Sequence, residues 1–153
     1  MPTKGDNSKT VLVEALNGAL ADHMALYFKS KNFHWHVAGP RFRDLHLLFD
    51  EQATAIIGVV DLIGERIRKN SADALTSIGS IAQATVIADQ DNTALKADAM
   101  VQELHDDNAK LVARLRDVKA AAEDAGDYAT SGVVDDWIDQ AEQRVWFLAQ
   151  TLK

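Results

Sequence analysis

Five residues in one stretch of this chain have the types and spacing to hold a transition metal: His34, His46, Asp50, Asp61 and Glu65. Imidazole and carboxylate donors without a thiolate suit iron, manganese or zinc better than copper(I) or an iron–sulfur cluster. His46 and Asp50 lie four apart, as do Asp61 and Glu65, so on a helix each pair shares a face. The two pairs are about three whole turns apart, which puts all four side chains on one stripe. Yet His46 and Asp61 are separated by roughly 22 Å of helix at about 1.5 Å per residue. One ion cannot take ligands from both.

A single long helix is the element that must position them. No proline interrupts the chain from Phe42 to about Lys69, and apolar residues recur at Phe42, Leu45, Phe49, Ala53, Ile56, Ile57, Val60 and Ile63. Gly39-Pro40 marks its start, because proline pre-sets helical φ and disfavours the helical region for the residue before it. His34 therefore belongs to a preceding element. The distance conflict disappears if the helix packs antiparallel against a copy of itself about a two-fold axis. His46 then faces Glu65 of the copy, and Asp50 faces its Asp61. Both pairs are symmetric about a point between Ala55 and Ile56, and the same symmetry sets Ala53 against Gly58. A glycine inside a helix costs about 1 kcal/mol relative to alanine, and opposed small residues would let two backbones approach closely. The expectation is two identical centres per dimer, each with His34, His46 and Asp50 from one chain and Asp61 and Glu65 from the other.

His34-Trp35, the turn Gly39-Pro40-Arg41-Phe42, His46 with Asp50 and Asp61 with Glu65 together resemble the Dps proteins (DNA-protection-during-starvation proteins, the mini-ferritins). The resemblance covers about residues 10 to 153 and ends in Trp146-Phe147-Leu148. It implies an all-α, ferritin-like four-helix bundle with a short extra helix in the crossover between helices two and three. It also implies a hollow homo-dodecamer built from two-fold dimers, with iron-oxidising (ferroxidase) centres between the paired subunits. Iron(II) and hydrogen peroxide are the implied substrates, taken in two-electron steps so that hydroxyl radical is not released, and ferric mineral is stored in the shell. His34, His46, Asp50 and Glu65 are then direct ligands of iron, with Asp61 binding a second metal or orienting the others. Trp35 packs beside the centre or takes up stray oxidising equivalents. Members commonly carry an acidic run and then Thr-Ala-Asp at the start of the last helix, contributing to negatively charged three-fold pores. Here Asp127 and Thr130 match, Gly132 replaces the aspartate, and Asp135 and Asp136 one turn on are the other candidates to line a channel.

At 153 residues, 47% of them apolar and 25% charged, the chain is one domain by size with ordinary globular composition. The absence of cysteine excludes a disulfide framework and fits a cytoplasmic location. No apolar run approaches the ~20 residues needed to span a bilayer, and no signal-peptide pattern opens the chain. A net charge of −7 disfavours nucleic-acid binding by the folded surface and suits cations.

Residues 1–8 read as a flexible polar tail and 9–153 as the bundle. In the family, lysine-rich tails can bind DNA, but Lys4 and Lys9 here are set against Asp6, so DNA is a disfavoured partner. The spacing of Leu12, Leu16, Leu20, Met24 and Tyr27 predicts a first helix from about Lys9 to Phe33, with His23 as a packed or hydrogen-bonded histidine. Residues 71–91 have broken periodicity. A third helix is expected from an N-cap at Asn92 or Thr93 to Gly126, with His105, Asp106 and Asp107 on a solvated face. A fourth is expected from about Thr130 to Leu152, with Trp137 and Trp146 as core or interface aromatics. Two other functions compete with iron oxidation: a DNA-compacting protein whose protection is physical, and a metal-stabilised shell with little redox chemistry.

Overall fold

The computed structural model describes residues 4–153, with side chains from Asn7 onward. Two helical hairpins pack side by side. The first is α1 (Lys4–His36) with α2 (Phe42–Lys69), and the second is α4 (Ala97–Asp124) with α5 (Tyr128–Thr151). The short links at 37–41 and 125–127 make each pair antiparallel. Gly39 and Gly126 take φ of +113° and +71° there, a conformation that L side chains rarely adopt. α1 packs against α2 and α4, and α4 against α5, while residues 70–96 cross over and carry the short α3 (Ile78–Ala84) onto α1. The described residues contain no strand, and none of their helices is long and apolar enough to cross a membrane.

Each long helix sends an apolar stripe inward: Leu12, Leu16 and Phe33 from α1, Phe49, Ile56 and Ile63 from α2, Leu104 and Leu111 from α4, Trp137 and Leu148 from α5. Ion pairs fasten the crossover to this core. Asp22, fully buried, accepts from Arg114 Nε at 2.7 Å, from Thr85 Oγ1 at 2.8 Å and from the Val86 amide at 2.9 Å. Lys29 donates to the Ala88 carbonyl at 2.9 Å and pairs with Glu103 and Asp107. Asp107 is therefore buried and paired, not solvated as expected. His105 and Asp106 do lie together at the surface, 3.0 Å apart.

Four buried polar side chains, one from each long helix, interrupt the apolar core: His23, Gln52, Asn108 and Arg144. Arg144 Nε donates to Asn108 Oδ1 at 2.7 Å, and Gln52 Nε2 donates to the Arg144 carbonyl at 3.4 Å. His23 Nδ1 donates to the Ala19 carbonyl at 2.7 Å, and burial lowers the imidazole pKa to about 4.

Helix boundaries differ from the periodicity at four places, one being that α1 runs on to His36, past the expected end at Phe33. α1 starts at Lys4 instead of Lys9, so the expected tail overlaps it from residue 4, while residues 1–3 lie outside the described ones. α4 starts at Ala97, because Asn92 accepts from the Ala94 amide at 3.0 Å and closes a local turn instead of capping a helix. α5 starts two residues earlier than expected, capped by Asp127, whose carboxylate accepts from the Thr130 amide.

Candidate metal centre

His34 lies in the last turn of α1 and His46 in the second turn of α2, held together by the tight link at residues 37–41. Their rings stack with centroids 3.8 Å apart, and Phe42 stacks on the other side of His46 at 5.0 Å. Each Nδ1 donates to the other residue's backbone carbonyl, at 2.6 Å from His34 and 2.7 Å from His46. A carbonyl only accepts, so Nδ1 carries the proton and Nε2 keeps its lone pair in the neutral ring. That is the tautomer a metal needs. His34 Nε2 lies 3.9 Å from Asp50 Oδ1, close enough for one cation to bridge the two.

Asp50 is engaged by a residue that spacing did not single out. Lys31 Nζ donates to Asp50 Oδ1 at 2.7 Å. This bond holds the Asp50 carboxyl below its ordinary range and raises the Lys31 ammonium. Lys31 sits three residues before His34, on the same side of α1, and that spacing was the signal available in the sequence. A cation bound by Asp50 has to displace it.

Asp61 and Glu65 lie well down α2, both exposed, their side chains making no hydrogen bond or ion pair with other described residues. Leu47, Thr54, Gly58 and Leu62 share that uncovered side. Gly58 has nothing within 4 Å of where a Cβ would stand. Ala53, expected to oppose Gly58 across the two-fold, is instead fully buried in its own core. The helix turns it about 100° away from Thr54, so the small-residue pairing does not hold. Among the described residues, no three His, Asp or Glu side chains converge into a metal-binding group within one chain. Among the described residues, His34, His46 and Asp50 thus lie near the start of α2, and Asp61 and Glu65 lie apart from them further along the helix.

Trp35 is 55% exposed and stands edge-on to Phe28, centroids 5.9 Å apart, next to the histidine pair. Of the residues considered for a channel, Asp127 is tied to Arg66 at 3.0 Å, Asn70 at 2.9 Å and the Thr130 hydroxyl at 2.5 Å. Asp135 pairs with Lys119 at 2.8 Å, and Asp136 accepts from Gln140. Lys9 is exposed near the start of α1, and the Lys4 side chain lies outside the described ones.

A model of the ferritin-like domain matches residues 13–153. The DNA protection during starvation protein of Brevibacillus brevis is 33% identical over 145 residues, spanning 90% of this chain and 92% of that one. This chain is a member of the ferritin-like Dps family. Among Dps structures, that from Bacillus brevis superposes with a TM-score of 0.92 at 29% identity over the full length of both chains. The Vibrio cholerae Dps structure, described as belonging to a broad superfamily of ferritin-like diiron-carboxylate proteins, gives 0.90 at 30% identity, covering 96% of this chain and 92% of that one. The Dps fold, with its short helix in the crossover, is the architecture described above.

Proposed function

We propose that this chain oxidises Fe(II) to Fe(III) with hydrogen peroxide at centres shared between two-fold-related copies, and stores the ferric product inside a dodecameric shell. One observation carries the reading. His34, His46 and Asp50 gather at one end of α2 with both Nε2 lone pairs free, while Asp61 and Glu65 stand uncommitted near the other end of the same helix. Membership of the Dps family supports the iron and the shell.

Iron is the substrate. The imidazoles hold Fe(II), and the carboxylates, being hard oxygen donors, favour Fe(III) and so lower the reduction potential. Two Fe(II) give one electron each to one peroxide, which takes up two protons and leaves as two waters. Pairing the electrons avoids hydroxyl radical, and DNA is protected because both reagents of that radical are consumed. His34, His46, Asp50 and Glu65 are the direct ligands, and Asp61 binds a second iron or orients the first set.

The test is anaerobic loading of metal-free protein with Fe(II), then addition of peroxide while ferric absorbance and a hydroxyl-radical trap are followed. Fast ferric formation with the radical suppressed is expected, slowed at least tenfold in His46→Ala/Asp50→Ala. A variant that assembles and oxidises iron at the wild-type rate would overturn the assignment.

A further inference from the structure

Two cations are buried among the described residues, and only one has a counter-charge. Lys29 is paired with Glu103 and Asp107, whereas Arg144, 4% exposed, has no carboxylate within ion-pair distance. Its Nε is taken by Asn108, a neutral amide. Its Nη1 and Nη2 meet no hydrogen-bond acceptor at all. A guanidinium held out of water with both Nη atoms unpaired is strongly destabilising until an acceptor is supplied.

The surroundings point to what supplies it. Arg144 lines a cleft of about 120 Å³ between α2 and α5, together with Gln52, Gln140, Gln143 and Phe147. Gln52 Nε2 donates to the Arg144 carbonyl and Gln140 Nε2 to Asp136, while Gln52 Oε1 is buried without a partner, so the amides line the cleft as neutral polar groups beside the cation. Glu51 also lines the cleft, but it is exposed and forms no ion pair with Arg144. The other titratable neighbour, His23, is held neutral by burial. The cleft therefore combines one fixed positive charge with neutral amides.

We propose that this α2/α5 cleft binds a small inorganic oxyanion of the phosphate class, seated on the Arg144 guanidinium. An oxyanion fits better than a halide because two free Nη groups present parallel donors to two oxygens, whereas a halide offers a single point of acceptance. Both Nη atoms are shielded from bulk water, so the anion reaches them as side chains lining the cleft shift. The site shares no residue with the metal centre.

Iron-free assembled protein titrated with inorganic phosphate in a calorimeter, against sodium chloride at matched ionic strength, tests this. Saturable uptake of one phosphate per chain is expected. Arg144→Met should weaken it about tenfold or more, the range of a lost charge-assisted pair. Gln143→Glu places a carboxylate in the lining of the same cleft at an exposed position and should abolish uptake without disturbing the core, so it decides the matter if Arg144→Met does not fold. Glu51→Gln and His46→Ala should bind phosphate at least as well as wild type. Absence of a saturable phosphate signal, or unchanged binding in Gln143→Glu, would overturn the site.

Discussion

His34 and His46 fix each other: each ring donates its Nδ1 proton to the other's backbone carbonyl, at 2.6 and 2.7 Å. The end of α1 and the beginning of α2 are joined by this exchange, so the same two bonds that close the hairpin also set the tautomer of both rings. An asparagine at position 46 could keep one of the bonds but has no second ring nitrogen to offer a metal.

Chain mixing tests whether the centre is shared. His46→Ala/Asp50→Ala and Asp61→Ala/Glu65→Ala should each be inactive when assembled alone. Dissociated and reassembled together in equal amounts, they should recover about a quarter of the wild-type rate, since half the pairs are mixed and each mixed pair has one intact centre. A centre built within one chain would recover nothing.

Lys31 holds Asp50 at 2.7 Å, so a metal bound there as proposed would have to compete with it. Lys31→Gln should bind the first Fe(II) anaerobically about two- to fivefold more tightly, in keeping with the small worth of partly exposed ion pairs. Equal affinities would mean that the ammonium leaves Asp50 without cost.

Acid should weaken the fold through His23. Its folded pKa is lowered from 6.5 to about 4 by burial, so between those values the unfolded chain takes a proton that the folded chain refuses. The neutral imidazole's contribution is complete above pH 6.5 and is lost as pH falls to about 4, amounting to about 3 kcal/mol per chain. His23→Gln should flatten that dependence. Guanidinium midpoints at pH 7 and 4.5, at one protein concentration, give the comparison, and parallel losses in both proteins would clear His23.

Asp127 works in a lower range. Burial would raise its carboxyl, but the bonds from Thr130, Asn70 and Arg66 outweigh burial and hold it well below the ordinary value of 3.8. Its stabilising effect is therefore present above pH 3.8 and is lost only as acid goes further down. Asp127→Ala removes both the cap and the Arg66 pair and should cost about 2 to 4 kcal/mol at neutral pH. A loss under 1 kcal/mol in thermal or denaturant unfolding would show that Arg66 and Asn70 are satisfied equally well by water.

What could be read in advance was whatever spacing alone determines. The long second helix follows from period and proline placement, and on it Asp61 and Glu65 are exposed, while His34, from the end of α1, comes within 3.9 Å of Asp50. Ala53 failed because neighbouring helical positions differ by about 100°, enough to turn one inward and the next out. Asn92 failed because an asparagine that closes a turn and one that caps a helix use the same side-chain oxygen. Asp127 was read for its charge, while its carboxylate serves the backbone of α5, Arg66 of α2 and Asn70 just past its end. Gln52, Asn108 and Arg144 gave no signal, since a polar residue on a helix is ordinarily on the wet side.

The separation of the donors along α2 has a consequence for newly made protein. Among the described residues of a single chain no three His, Asp or Glu side chains form a metal-binding group, so under the proposed shared centre a lone chain would not oxidise iron until it meets a copy. In dilute solution the number of working centres then grows with the square of the chain concentration. On that reading iron oxidation would begin only past a threshold of synthesis, when enough partners exist to complete the centres.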